Sequence, residues 1–467
     1  MQPHELTLTE ASAAIAAGEL SPVELTDSVI GQIERHEGQV HAFAELTLDS
    51  ARGAAKEAES QISAGGPRNP LHGIPVGIKD LCDTEGVAAT SSSRTRAGRI
   101  ATSDSAVSAR LRAAGAVLMG QTHTHEYAYG VMTPTTHNPW DLSRTPGGSS
   151  GGSGAALASR MVLGAIGTDT GGSIRIPSAL NGTTGLKPTY GRVSRQGITS
   201  LCWALDHAGP MARTVGDVAL LLQVLAGHDP RDPGSVDEPV PDYAAALGGD
   251  LAGVTLGVPT NYYFDHIEPD VEAAFRSAVG TIEASGATIR EVELPLGHTY
   301  MPVEYGILVA EASAYHQDTL REKADLYEPD VRALLEVGEL LYATDYIRAL
   351  RVRELIKQGW RELYEAAGLT AVLAPTLGAV AVRTDDPMVR WPDGTEEPAI
   401  DAYVTTSAPG NLTGLPALSV PSGFDRQGLP IGMQIIGRPF DEAGVLHVGS
   451  VFEAATDFAN RMPTGLA

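Results

Sequence analysis

Gly167-Thr168-Asp169-Thr170-Gly171-Gly172-Ser173-Ile174-Arg175 follows directly on the apolar run Met161 to Ile166. An apolar strand that runs into a glycine-rich turn is the junction on which α/β folds are built. The glycines free the backbone to turn sharply, so the N–H groups of Thr170, Gly171, Gly172 and Ser173 can converge on one anion. Taken alone, the stretch is equally a glycine turn whose serine caps the helix that follows.

The pattern extends in both directions. Upstream lie a Gly/Ser loop at 147–154 and a small-residue helix near Ala155 to Ser159. Before them, Ile74 to Ile78 forms a short apolar run, Ser105 to Ala114 has helical spacing, Gly115 can end that helix, and Ala116 to Met119 is strand-like. Thr7-Leu8-Thr9-Glu10 and Ser21-Pro22-Val23-Glu24 are capping boxes, the second with proline at the first helical position, so two helices open the chain. Downstream, the proline-rich stretch from Pro230 to Pro241 is a surface loop. Val254 to Val258, Ala371 to Ala374 and Ala417 to Val420 are further strands, and the charged stretch 304–366 is helical, a cover over the sheet. No repeat of fixed period occurs.

A formal charge of -24 repels phosphate backbones and anionic lipid heads, so nucleic acid and membrane are poor partners. Two cysteines, Cys82 and Cys202, cannot build a disulfide framework, which fits a reducing cytoplasm. No run of about 18 apolar residues is present, and Met1 to Glu5 shows no basic stretch followed by an apolar one, so neither export nor membrane spanning is expected.

Three stretches carry candidate chemistry: Gly73-Ile74-Pro75-Val76-Gly77-Ile78-Lys79-Asp80, Pro146-Gly147-Gly148-Ser149-Ser150-Gly151-Gly152-Ser153, and the stretch around Ser173. Lys79 closes an apolar segment, where a lysine can lose hydration and act as a neutral base; the plainer reading is a surface lysine paired with Asp80. A basic role requires its pKa to fall from about 10.4 to near neutrality, at a cost of about 4 kcal/mol. Locally, the run around Ser149 and Ser150 also reads as a flexible linker. A phosphate loop lacks its G-K-[ST] ending, and a nucleophile elbow lacks the buried strand that must precede it.

Together, in this order, the three stretches resemble the amidase signature family: G-I-P-x-x-[IV]-K-D, then G-G-S-S-G-G-S, then G-[ST]-D-T-G-G-S-I-R-x-P. Ser149 and Ser173 stand 24 positions apart (173 minus 149), the family spacing. Further matches are Asn138-Pro139-Trp140-Asp141, the run Gly185 to Ser194, Gly209-Pro210 with Arg213-Thr214-Val215, and Asn411-Leu412-Thr413-Gly414-Leu415-Pro416.

The resemblance implies one α/β/α domain over 1–467 around a mixed central sheet, with an N-terminal helical segment at 1–60, a motif-rich core at 73–215 and the helical cover at 300–366. It implies hydrolysis of a small-molecule amide, carbamate or related carbonyl compound through an acyl-enzyme, with no cofactor and no metal. Ser173 is then the nucleophile, Ser149 the relay after a cis bond from Gly148, and Lys79 the base. Thr170, Gly171, Gly172 and Ser173 form the oxyanion hole; Ser150, Asp169 and Arg175 hold the loops.

Lys187 is a rival base, disfavoured by a turn-like setting without an apolar lead-in. His123-Thr124-His125, with Glu126 or His137, has the spacing of a metal site, although structural histidines are the commoner case. Tyr127, Ala128, Tyr129 and Met132 are expected to line an apolar acyl pocket. The family also contains the glutaminase subunit of tRNA-dependent amidotransferases. There an acidic residue that holds glutamine's amino group lies seven before the asparagine of the N-L-x-G-L-P run. Val404 occupies that position here, with Asp401 nearby, which favours a stand-alone amidase acting on small molecules. A homodimer is the expected assembly where the chain self-associates.

Overall fold

Thr7 and Ser21 both close full capping boxes, so the first two helices, α1 (Leu8–Ala16) and α2 (Pro22–Val40), begin where the sequence signals them. They belong to a computed structural model that describes residues 2–463, 465 and 466. A short strand, β1 (Phe43–Leu46), then interrupts the N-terminal helical segment before α3 (Leu48–Gly65). Four residues with one polar position are too short for alternation to reveal as a strand.

The motif-rich half follows as β2 (Pro75–Lys79), α4 (Ala106–Ala114), β3 (Val117–Thr122), α5 (Gly151–Ala158), β4 (Gly164–Asp169), α6 (Arg175–Asn181), β5 (Thr184–Lys187), β6 (His207–Ala212) and α7 (Val215–Leu225). The Gly/Ser stretch is a loop only as far as Ser150. Gly151 already starts α5, because glycine without a side chain fits a helix wedged between backbones: a Cβ on Gly152 would meet Ala42 O at 2.4 Å.

After the loop at 230–241 come β7 (Thr255–Pro259), α8 (Pro269–Ala284), β8 (Thr288–Val292) and the cover helices α9 (Tyr300–Lys323), α10 (Pro329–Gly338) and α11 (Ala343–Ala366). The chain ends with β9 (Ala371–Pro375), the two-stranded ribbon β10 (Met388–Arg390) and β11 (Glu396–Pro398), α12 (Ala399–Thr413), β12 (Ala417–Phe424), β13 (Pro430–Gly437) and α13 (Glu442–Ala454).

Eleven strands join one mixed sheet in the order β1-β3-β2-β4-β6-β5-β12-β13-β9-β7-β8. β2 runs parallel to β3 and β4, whereas β4–β6 and β12–β13 are antiparallel. Alternation sends β9 side chains to both faces: Leu373 enters one apolar cluster, Val372 and Ala374 the other. The first cluster includes residues of α7, α8 and α13, the second residues of α9 and α11, so helices cover both faces in an α/β/α sandwich. β2 and β4 are buried along their whole length, which removes the carboxyl ends of two central strands from water.

Candidate active site

Lys79 is the last residue of β2, fully buried, and the parallel neighbour β4 brings Thr168 beside it. Its Nζ lies 2.8 Å from each of three hydroxyl oxygens: Ser149 Oγ, Ser150 Oγ and Thr168 Oγ1. Burial pulls the Lys79 pKa down to about 7, while the nearby Cys82, Asp169 and Asp206 oppose that fall. A neutral amine has two N–H bonds and one lone pair, so among three hydroxyls it can donate to two and accept from one. Ser150 spends its own proton on Thr168 O at 3.2 Å, which makes its Oγ an acceptor from Lys79. Among the described residues neither the Ser149 nor the Thr168 hydroxyl has such a second partner, so either is free to donate to the lone pair.

The peptide bond from Gly148 to Ser149 is cis. Ser150 directly precedes α5, and its N–H donates to Ser173 O at 3.1 Å, tying the two serine loops together. Ser173 keeps 5% of its surface exposed, whereas Lys79, Ser149 and Ser150 keep none. Of these groups only Ser173 can meet a ligand directly. No hydrogen bond joins Ser149 Oγ to Ser173 Oγ among the described residues.

Asp169 organises the turn that follows β4. Its carboxylate accepts from Gly172 N at 2.9 Å, Ile174 N at 3.2 Å and Arg175 N at 3.4 Å. The Arg175 guanidinium grips it through Nε and Nη2, both at 3.1 Å, and Asn411 Nδ2 donates at 2.8 Å. Burial opposes its charge, but the Arg175 guanidinium, Lys187 and Asn411 outweigh it and hold the carboxyl well below the usual range. Gly172 was expected among the anion-binding donors; its N–H is spent on Asp169, so it leaves that set. The N–H groups of Thr170, Gly171 and Ser173 have no partner among the described residues. Gly172 has φ 111°, a conformation suited to glycine alone.

Asp206 lies in no motif that singles it out in the sequence, and Thr168, although inside the glycine-rich stretch, has no role legible there. Asp206 accepts from Thr170 Oγ1 at 2.7 Å and from Ser200 Oγ at 2.7 Å, fixing the turn from outside. Lys187 is not in an open turn: it ends β5, fully buried, and donates to Leu415 O at 2.6 Å and Pro188 O at 3.1 Å. Burial depresses its pKa well below the ordinary lysine value, yet carbonyl oxygens hold it and no hydroxyl does. His123 Nδ1 pairs with Ser92 Oγ and His125 Nε2 with Asp330 Oδ2.

A cavity of about 800 Å³ opens onto Thr168 and Thr170. The loop with Trp203 and Asp206 forms one wall, and Glu311, Tyr315 and Tyr346 of the cover helices form another. Of the four expected pocket residues, Ala128 lines it. Tyr127 is buried, bonded to Thr95 Oγ1 at 2.5 Å and packed edge-on against His316, so it braces the wall from behind. Tyr129 is buried with its hydroxyl unpartnered, and the backbone N–H of Met132 is turned to His125 Nδ1 at 3.3 Å.

The chain as a whole is similar to known proteins. Residues 24–446 match the family model described as Amidase. An amidase of Pseudomonas putida is 48% identical over 98% of this chain and 97% of its own length. A glutamyl-tRNA(Gln) amidotransferase subunit of Roseiflexus sp. (strain RS-1) is 42% identical over 98% of both chains. A bacterial aryl acylamidase of the amidase signature family superposes with a TM-score of 0.89 at 27% identity, covering 99% of this chain and 100% of that one. The fold and site define a hydrolase of carbon–nitrogen bonds outside peptides. The chain belongs to the amidase signature family, whose members act on amides.

Proposed function

We propose that this chain is a stand-alone amidase that cleaves small-molecule amides through an acyl-enzyme on Ser173. The observation that carries the reading is the buried Lys79 amine, held 2.8 Å from the Ser149 hydroxyl at a pKa of about 7. An amine half neutral near pH 7 is matched to proton transfer in both directions.

In this mechanism the Lys79 lone pair takes the Ser149 proton, Ser149 Oγ takes the Ser173 proton, and Ser173 Oγ attacks the carbonyl carbon. Ser149 and Ser173 come into hydrogen-bond reach when substrate seats the Ser173 side chain, as catalytic contacts commonly tighten on binding. The negative oxygen of the tetrahedral intermediate takes up the free N–H groups of Thr170, Gly171 and Ser173. The relay then runs backwards and protonates the departing nitrogen, without which an amine is a very poor leaving group. Water repeats the sequence on the acyl-enzyme and releases the acid. The small-molecule substrate enters through the cavity under α9 and α11.

Amidotransferase subunits are also relatives of this chain, so glutamine is the critical comparison. Buried Val404 supports the stand-alone reading, since an isopropyl group beside the Gly171 turn gives an ammonium no partner at that position. Ammonia release from primary amides, aryl anilides and glutamine tests it. Turnover of several amides with little of glutamine is expected; hydrolysis of glutamine alone would sink the stand-alone reading.

A further inference from the structure

Glu304 sits one turn into α9, fully buried, and neither of its carboxyl oxygens has a hydrogen-bond partner among the described residues. A buried acid without a partner is rare and costly, and it demands a physical reason. Its position supplies one. A Cβ placed on Gly171 would lie 3.4 Å from Glu304 Oε1, so the carboxyl stands against the turn whose N–H groups face the reacting carbonyl.

The helix geometry agrees. Glu304, Leu308, Glu311 and Tyr315 recur at i, i+4, i+7 and i+11, which places them on one face of α9. Glu311 and Tyr315 on that face line the 800 Å³ cavity. Glu311 is saturated by Ala204 N, Cys202 Sγ and Tyr346 Oη, but Glu304 is left open. Ser407 Oγ is likewise unpartnered and approaches the neighbouring Gly172. The nearest cations are already engaged: Arg175 by Asp169, and Arg353 by the carbonyls of Leu412 and Ala204. Burial pushes the Glu304 carboxyl well above the ordinary glutamate value, with Arg353 and Arg175 opposing. Burial with no free cation among the described residues to pair it favours the acid form, which offers one O–H donor and one carbonyl acceptor.

We propose that Glu304 reads the acyl group of the substrate, selecting amides whose acyl chain carries a neutral group with both an N–H and a C=O, such as a second carboxamide or a ureido group. This rests on the amidase reading and adds a polar contact to the acyl pocket expected from Tyr127, Ala128, Tyr129 and Met132. A carboxylic acid and a carboxamide pair through two complementary hydrogen bonds, and a hydrocarbon of the same shape leaves both oxygens unmatched.

Matched substrates test it. Malonamide and 3-methylbutanamide share a shape, as do succinamide and 4-methylpentanamide. The wild-type chain should prefer each diamide by about tenfold or more in kcat/KM. Glu304→Leu should erase or invert that ratio, and Glu304→Gln, which keeps a donor and an acceptor, should restore most of it. An unchanged ratio in Glu304→Leu overturns the inference. So does a wild-type chain that handles the hydrocarbon amides as well as the diamides, a result that stands even if the leucine variant does not fold. Preference for 3-aminopropanamide over malonamide would assign an ionised carboxylate and overturn the neutral pairing. Calorimetric binding of the same pairs to Ser173→Ala needs no turnover. A wild-type chain inert towards every amide would defeat the amidase reading, whereas equal affinities in that variant defeat the role of Glu304.

Discussion

Lys79 Nζ stands 2.8 Å from Ser149 Oγ at the bottom of a site from which both side chains are wholly excluded from water. Among the described residues the Lys79 side chain's hydrogen-bond partners are three hydroxyls and no carboxylate. That choice of partners decides the chemistry, because an adjacent carboxylate would hold the ammonium form and leave no lone pair to accept a proton.

The pH profile follows with a definite sign. Lys79 is lowered to about 7, so it is charged and inert below that pH and neutral above it. kcat/KM should rise about tenfold per pH unit below neutrality and level off above about pH 7. Lys79→Arg, charged at every accessible pH, should be inactive throughout. A profile still climbing at pH 9 would mean that the lysine is not desolvated in solution.

The serines should separate by role. Ser173→Ala removes the nucleophile and should lower kcat by at least about 10³-fold, with no acyl adduct on acid quench. Ser149→Ala leaves the nucleophile in place and cuts only its path to the base, so a stoichiometric adduct at Ser173 should still form slowly. Mass spectrometry of the quenched protein reads both, and an adduct on Ser149 instead would reverse the assignment.

Much of this site was legible because its chemistry sits in short contiguous motifs. Lys79 follows an apolar run, and Ser149 and Ser173 sit in glycine turns whose order is diagnostic. What was hidden depends on contacts distant in sequence. Asp206 reaches Thr170 across 36 positions, and Arg175 reaches Asn411 across 236. Lys187 reads as a turn residue because its burial comes from β6 and β12 on either side of β5, which its own neighbours do not encode. Glu304 is the clearest case. An acidic residue in a charged helical stretch reads as solvated, and only the packing of α9 over the Gly171 turn reveals it as buried. The α/β alternation was readable from apolar runs, whereas β1 and β5, four residues each, are too short to show a period.

The paired glycines at 171 and 172 should respond differently to a methyl group. On Gly172, φ 111° strains any side chain, and the new Cβ would lie 2.4 Å from Ser407 Oγ. On Gly171 the methyl would meet Glu304 Oε1 and Val404 Cγ1 at 3.4 Å, an ordinary contact. Gly172→Ala should therefore lose about 1–3 kcal/mol of stability and nearly all activity, whereas Gly171→Ala should unfold at close to the wild-type denaturant midpoint. Equal stability of the two variants would show that the turn does not hold this conformation.

Asp169→Asn keeps the shape of the side chain but leaves the Arg175 guanidinium buried without its counter-charge. Breaking such a pair by removing one partner costs about 3–5 kcal/mol, measurable by chemical denaturation at pH 7. The dependence on acid distinguishes lost charge from lost packing. In the unfolded chain the carboxyl titrates near 3.9, and in the folded protein it is held well below that. Between the two values the folded state binds fewer protons than the unfolded one, so the stabilisation by Asp169 is complete above about pH 5 and drains away as the pH falls towards the folded value. The stability gap between wild type and Asp169→Asn should accordingly be constant from pH 5 to 7 and narrow below about pH 4. A gap that stayed constant down to pH 3 would mean that the loss lies in hydrogen bonds the amide cannot accept and not in the charge of Asp169.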